Sequence, residues 1–408
     1  MVHFGQRLSG VFRGLSIGII FCLPLLPVSS VARPVRVATY NIEFGTGPVG
    51  SDKYNAIRST LARMDADIVC FQELWPDTFA AWSNMAASLG YSNTAIGANA
   101  PFSGGMYLGY ASRFPILSTA SAMSPPGAVE LTRYPFRAVV AVPDAQRPLV
   151  LWTMHHKSSD ANIDKFRRAV EARRAVQNID AYVAANPDHN EYLFVGDMNE
   201  DIRDSQTAQY ASQPSGAPDN YVLGADVSFP VLYSKFPTDR YADAGLGLVR
   251  MPAYWENSTT PITRIASGRQ LDYVFLSPAL MDSPLGAPVA ETYYSANDLG
   301  GGLPKAGARL PAGTCAAASD HLPIFFDIEM ADYSTVIPSA AFTAAGEAGG
   351  PFAPTSKTYV IRETNSFSTS WSISANVAWL SISETNPVAA PLVPRNIVVS
   401  FNAAANTL

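Results

Sequence analysis

Cysteine is scarce in this 408-residue chain, which carries only Cys22, Cys70 and Cys315. Cys22 lies in an amino-terminal apolar segment; setting it aside leaves two thiols, enough for one disulfide at most and too few for a disulfide-built scaffold. Cys70 closes an apolar run and reads as an inert core thiol, Cys315 lies in a loop, and free thiols are expected, with a Cys70–Cys315 disulfide in an oxidising compartment as the alternative. Charge is scarce as well: charged residues make up 15% of the chain, with 28 Lys and Arg against 34 Asp and Glu, a formal net charge of −6. No strongly basic face is advertised, which argues against tight non-specific binding to a polyanion. The one basic cluster, Lys165, Arg167, Arg168, Arg173 and Arg174, falls on an expected helix and reads as its solvated face. An apolar stretch at residues 15–26 is too short for a durable membrane span. Arg7 and Arg13 precede it and Ser30, Val31 and Ala32 follow, the layout of a secretory leader. Residues 1–32 are therefore expected to be removed, placing the mature protein outside the cell or in a periplasm. Their removal takes two Arg and no acid, moving the formal charge from −6 to −8.

What the chain does have is six short islands, each with an acid, amide or imidazole near the end of an apolar run. They are residues 35–41 (VRVATYN), 68–73 (IVCFQE), 151–155 (LWTMH), 194–199 (FVGDMN), 271–275 (LDYVF) and 319–323 (SDHLP). Apolar runs of this length, rich in Val, Ile, Phe and Tyr, read as buried strands, so the polar residues sit at a sheet rim. Carboxylates at Glu73, Asp197, Asp272 and Asp320, amides at Asn41 and Asn199, and imidazoles at His155 and His321 form a hard, oxygen-dominated set. Such ligands suit magnesium, with manganese or calcium as alternates, over zinc or copper. A magnesium-type ion usually keeps several waters and completes its shell with phosphate oxygens, and the set also offers a partner for a water's proton.

Each island also has a plain structural reading. Gly-Asp-x-Asn closes a strand as an Asx turn, Asn41 can cap a turn, and His321 can be a core histidine beside a proline turn. Burying Glu73 without a partner is expensive, so a metal ligand explains it better than a surface role. Asp272 is the natural orienting partner for His321. Alternation lets only one of His155 and His156 face a cleft.

Taken in order, the islands resemble those of the endonuclease/exonuclease/phosphatase superfamily, the DNase I-like fold, over about residues 35–330. The resemblance implies an α+β architecture: a two-sheet β-sandwich flanked by helices in four layers. It implies Glu73 as principal metal ligand assisted by Asn41 and Asp320. Asp197 would align the attacking water, Asn199 would orient Asp197 and bind phosphate, Asp272 would pair with His321, and His155 would act as electrophile or leaving-group acid. Residues 112–116 (SRFPI) resemble a family stretch that shapes the cleft, making Arg113 a candidate substrate contact beside His156. Two positions depart from the pattern: Thr153 stands where many members carry Asn, and His156 where Leu is usual.

The expected organisation is a leader (1–32), a catalytic domain (33–331), a linker (332–350) rich in Gly and Ala, and a small all-β module (351–408). That module resembles BACON-like immunoglobulin-type sandwiches through Trp371 and residues 378–381 (AWLS) and stops before their last strand, so that either the module is incomplete or the chain is a fragment; by the family it would contact carbohydrate or a cell surface, with a plain spacer as the equal alternative. Helices are expected at 53–64, 75–89 and 162–182. The loops at 205–227 and 295–318 are expected to shape the cleft, and Tyr254 and Trp255 are either base- or lipid-contacting aromatics or core. The expectation is a monomeric, secreted, metal-dependent phosphodiesterase, a nuclease first. A sphingomyelinase-like lipid phosphodiesterase or a sugar or inositol phosphatase stands second. A non-catalytic adhesion protein is disfavoured because no acid or ligand of the set is missing.

Overall fold

The alternation of side chains along thirteen described strands explains where nearly every candidate residue ends up. The computed structural model describes residues 14–17, 20–22, 34–143, 145, 147–204, 209–217, 221–223, 232, 247–281, 287–330, 334–337, 342–346, 350–363, 369–375, 377–389 and 393–407. They fall into two units, Arg33–Met330 and Ala331–Leu408 with Met1–Ala32.

In the larger unit the strands are β1 (Val35–Asn41), β2 (Ile68–Leu74), β3 (Asn93–Ile96), β4 (Tyr107–Ser112), β5 (Ile116–Ser121), β6 (Phe136–Val140), β7 (Leu149–His155), β8 (Tyr192–Asp197), β9 (Val249–Met251), β10 (Ala253–Tyr254), β11 (Asp272–Leu276), β12 (Val289–Thr292) and β13 (Ile324–Ile328). The longer helices are α1 (Asp52–Met64), α2 (Phe79–Ser88) and α3 (Asn162–Ala185), close to the spans that periodicity suggests. Ser51 starts α1 by accepting from the Tyr54 N–H at 3.2 Å, an N-cap.

One sheet has the order β10-β12-β13-β1-β2-β4-β3 and the other β9-β11-β8-β7-β6-β5. The pairs β1–β2 and β7–β8 are parallel, their flanking neighbours antiparallel, so both sheets are mixed. Val37, Cys70 and Phe326 from the first sheet pack against Leu151, Val195 and Val274 from the second. The opposite face of the first sheet, with Tyr40 and Phe71, packs on Ile57 and Leu61 of α1 and Trp82 of α2. The opposite face of the second, with Trp152 and Phe194, packs on Ala175 and Ile179 of α3. Helix, sheet, sheet, helix is the four-layer sandwich.

The smaller unit holds a four-stranded sheet in the order Ser334–Ile337, Ser356–Glu363, Arg395–Phe401, Leu380–Ile382. Along Arg395–Phe401 the alternation is clear, Ile397 and Val399 buried and Val398 exposed. Gly14–Ile17 pairs with Phe342–Ala345, and Ile20–Cys22 with Ser372–Ser374; the rest of the stretch expected as a leader lies outside the described residues. The linker expectation for 332–350 needs correcting. Those residues carry the strands Ser334–Ile337 and Phe342–Ala345, and Phe342 is fully buried in the unit's core. A small-residue composition was compatible with this because Phe342 and Ala344 face inward while their neighbours do not.

Candidate active site

The inter-sheet layer ends in a polar rim. On β1 the inward residues are Val37, Thr39 and Asn41; on β7, Leu151, Thr153 and His155; on β8, Leu193, Val195 and Asp197. A period of two thus carries an apolar core to a polar end on every strand. Asp272 joins the rim because β11 runs opposite to β8, register-matched to Asp197, which is itself matched to His155 on β7. Just below, Gln72 donates to Thr153 Oγ1 at 2.7 Å and to Thr39 Oγ1 at 3.1 Å, a hydrogen-bonded floor. Thr153, the departure from the family pattern, is part of that floor.

Glu73 breaks the alternation. Parity on β2 would send it outward with Val69 and Phe71, but its φ of 60° and a register shift between Phe71 and Leu74 redirect it to the rim. A non-glycine residue in the left-handed region is costly and tends to mark function. Gly196, at φ 139°, permits close approach of β8 to β7: a Cβ there would lie 2.0 Å from the Met154 carbonyl oxygen.

The carboxylates converge on one another. Asn41 Nδ2 donates to Glu73 Oε1 and to Asp197 Oδ2, both at 3.0 Å, while its Oδ1 accepts from the Glu43 N–H at 3.0 Å. Its nitrogen, not its oxygen, faces the acids, so Asn41 bridges them. Glu73 Oε2 accepts from the Phe44 N–H at 3.1 Å. Asn199 gives its N–H to Asp197 Oδ1 at 2.7 Å and its side-chain amide to Oδ2 at 3.2 Å. Burial above all, with Asp272 and Glu73 nearby, pushes the Asp197 carboxyl up to about 7 against the pull of His321 and the Asn199 N–H.

Two imidazoles flank Asp197 Oδ2, His155 Nε2 at 3.5 Å and His321 Nε2 at 3.7 Å. Burial alone would depress His321, but Asp272, whose Oδ2 lies 2.8 Å from Nδ1, together with Asp197 raises it to about 10. It is an imidazolium at neutral pH, its Nδ1–H donating to Asp272. For His155 burial dominates, and Arg133 and His321 push the same way, holding it well below the ordinary histidine value and therefore neutral.

Three candidates sit elsewhere than expected. Asp320 is at the edge: Arg264 takes its Oδ2 at 2.8 and 2.7 Å, and its Oδ1 is 3.9 Å from His321 Nε2. Arg113 is not at the rim. Ser112 pairs with Ile68, where β2 begins, while Glu73 lies near its end, roughly 16 Å along the strand. There Arg113 pairs with Asp65 at 2.6 Å and lies over the Tyr91 ring. His156 is buried facing outward, its Nδ1 3.5 Å from Glu171 Oε2 on α3, as alternation from His155 demands.

Other expectations are corrected in the same way. Arg168 is fully buried and donates to the Lys157 and Ser159 carbonyls, and Arg174 donates to Glu130 Oε2 at 2.5 Å, so α3 does not present a purely solvated basic face. The 295–318 loop does not reach over the cleft throughout: Asp298 is locked to Arg63 of α1 at 2.8 Å, and Lys305 to Glu256 and Glu291. Trp255 packs with the α1/α2 core, its ring tilted against Tyr294, while Tyr254 stays partly exposed. Of the 205–227 loop much lies outside the described residues. Cys70 and Cys315 are buried and free.

Sequence reasoning passed over Arg133. It is buried, donates to the His156 carbonyl and, at 3.1 Å, to the Met106 sulfur, a weak acceptor, and leaves Nε without a partner among the described residues. Burial pulls its guanidinium below the usual value against Glu171, Glu73 and Asp197. Its only signal was an arginine between Thr132 and Tyr134, two residues before Pro135. Phe44, Phe102 and Met123 are each more than half exposed, and residues 97–106, which include Met106, and 122–129 contain no charge.

Glu73, His155 and Asp197 have ligand atoms within 4.8 Å of one another, as do Asp197, Asp272 and His321. The first group fits a hard divalent ion better: it has two carboxylates and a neutral imidazole, whereas the second includes the cationic His321. Among the described residues neither Glu73 nor Asp197 has an Arg or Lys ion-pair partner.

The sequence profile of the endonuclease/exonuclease/phosphatase family matches residues 38–321. No curated protein matches the chain. Among solved structures the chain is similar to an endonuclease/exonuclease/phosphatase from Beutenbergia cavernae DSM 12333, at 16% identity, with 91% of this chain and 93% of that one covered and a TM-score of 0.47. It is similar to sphingomyelinase C from Streptomyces griseocarneus at 14% identity, covering 73% and 100%, TM-score 0.46. It is also similar to the human nocturnin catalytic domain with bound sulfate anion at 14% identity, covering 77% and 97%, TM-score 0.45.

Proposed function

As a member of the endonuclease/exonuclease/phosphatase family the chain is a phosphoric ester hydrolase, and we propose that it is a secreted, divalent-metal-dependent phosphodiesterase using direct attack of water. The observation that carries this is Asp197, one buried carboxylate shared by Glu73 with a neutral imidazole on one side and by Asp272 with a cationic one on the other. Glu73, His155 and Asp197 would hold the ion, magnesium first with manganese or calcium as alternates, and the ion would supply Lewis-acid polarisation of a phosphoryl oxygen. Asp197 is raised to about 7 in the metal-free protein, and a bound ion would lower it, so it would be ionised at neutral pH and able to accept a water's proton, steered by Asn199 and Asn41. His321 keeps its charge aimed along Nε2 toward Asp197, where a phosphoryl oxygen building negative charge would sit. Arg133 supplies the second cation. His155, held neutral, is a weak proton donor, so its role as leaving-group acid passes to His321.

Nucleic acid is the substrate proposed first: Arg264, Arg269 and Lys53 stand near the Asp320 side, paired to acids that a phosphate backbone could displace. A second reading, a lipid phosphodiesterase, is favoured by the exposed Phe44, whose N–H contacts Glu73, and by the exposed Phe102 and Met123 in uncharged segments. Export through a leader at residues 1–32, and a smaller unit of BACON-like kind that touches carbohydrate or a cell surface, complete the proposal; the enzyme is taken to act as a monomer. The test is nicking of supercoiled plasmid against hydrolysis of sphingomyelin in mixed micelles, each in magnesium, with EDTA and Asp197→Asn as controls. EDTA-sensitive turnover of either substrate that Asp197→Asn abolishes supports the reading and names the substrate. Turnover unaffected by EDTA or by the variant would overturn it.

A further inference from the structure

Glu171 is a fully buried carboxylate on α3 behind β7. Its Oε1 accepts from the Thr132 N–H and its Oε2 from the Lys157 N–H, both at 2.8 Å. Thr132 immediately precedes Arg133, and Lys157 lies two residues beyond His155. A single carboxylate therefore ties together the two loops that frame one side of the site.

The second of these contacts reaches further. The Lys157 N–H and the His156 carbonyl belong to one planar trans peptide, in which they point opposite ways. With the N–H drawn back to Glu171, the carbonyl faces forward, where it accepts from Arg133 at 3.1 Å and from Asn199 Nδ2 at 3.0 Å. Asn199 Nδ2 is the same amide that contacts Asp197. Hydrogen bonds in such a chain polarise one another, so an anionic acceptor at one end strengthens those at the other. Burial alone would raise the Glu171 carboxyl, yet His156 and the two backbone donors hold it below the usual carboxylate value, so it stays ionised.

We propose that Glu171 is a positioning residue: through the His156–Lys157 peptide it aims one carbonyl at both Arg133 and Asn199, and so sets the guanidinium and the amide that steers Asp197. This rests on the reading of the cleft as a phosphodiesterase site. The test is a kinetic cycle of wild type, Glu171→Gln, Asn199→Ala and the double variant on a small chromogenic phosphodiester in magnesium, with Tm recorded for each. Gln keeps the side chain's shape but puts a donor against one of the two N–H groups. Its kcat is expected to fall about tenfold, the scale of a small misplacement, with KM within about twofold. The double variant should be no slower than the slower single, because both act on one chain of contacts. An unchanged kcat with a lowered Tm, or fully additive losses, would overturn the proposal.

Should the wild type turn over no phosphodiester, the functional reading fails while the clamp stays testable by hydrogen exchange. Glu171→Gln should then speed exchange in residues 130–134 and 155–158 together, with the middle of α3 unchanged. Exchange unaltered in both segments, or faster in one alone, contradicts the clamp.

Discussion

His155 and His321 are buried on either side of the same Asp197 oxygen, at 3.5 and 3.7 Å, and yet end in opposite protonation states. Both are desolvated, and both see Asp197. The difference is that His321 Nδ1 has Asp272 at 2.8 Å, whereas the second acid beside His155, Glu73, stands off at 3.7 Å and burial, Arg133 and His321 itself prevail. A carboxylate within hydrogen-bonding distance of only one imidazole thus divides one polar rim into a neutral corner suited to an ion and a cationic corner suited to a phosphoryl oxygen. The lesson is that charge at this site is set by burial and by partners within about four ångströms and not by residue type.

Removing the carboxylate that both corners share should have the largest effect. Asp197→Asn is expected to lower kcat about 10²- to 10⁴-fold in a steady-state assay, with the fold intact by circular dichroism. Next comes the neutral corner. Glu73→Gln should weaken the metal response, read as a magnesium titration of rate whose midpoint moves up roughly tenfold or more, while the alkaline limb of the pH profile stays put.

In the cationic corner the pH profile is the sharper probe. Activity requires Asp197 ionised and His321 protonated, so kcat/KM should rise through a limb at or below about 7 and fall through one near 10. For stability the signs run the same way for His321 and oppositely for Asp197. His321 binds its proton more tightly when folded, a contribution present in full below its unfolded value and lost as pH rises through about 10. Asp197 is also raised, so its ionisation costs stability as pH climbs from the ordinary carboxylate range toward 7. Asp272→Asn removes the cause of the His321 shift and should move the alkaline limb down by more than one pH unit, measured as kcat/KM between pH 6 and 10. The smallest effect belongs to Arg113→Ala. It lies at the far end of the sheet, paired to Asp65 and over Tyr91, and should leave kcat/KM within about twofold while lowering stability by at most about 1 kcal/mol in a denaturant titration, a half-exposed ion pair.

Much of this was legible before any coordinates. The ends of their apolar runs place Asn41, His155 and Asp197 at the rim, alternation admits only one of His155 and His156 to the cleft without saying which, and the Asp272–His321 pair follows from chemistry. Glu73 was named for its cost of burial, but the backbone turn that delivers it, a left-handed φ with a register shift, leaves no mark in a run reading IVCFQEL. Arg113 was misjudged because a familiar stretch of residues says nothing about which end of a strand it occupies, and the antiparallel pairing of β4 with β2 decides that. Arg133, Glu171 and the burial of Arg168 and Arg174 were hidden for one reason. Their partners, Met106, Thr132, Glu200 and Glu130, come from loops distant in sequence, and composition reports a charge without its partner.

The contrast between the two histidines can be observed directly by nitrogen-15 NMR of the imidazoles in the metal-free protein between pH 5 and 9. At pH 7 His321 should carry protons on both ring nitrogens and His155 on one, with neither crossing over near 6.5. Two imidazoles titrating together near the ordinary histidine value would contradict the division of the site into a neutral and a cationic corner.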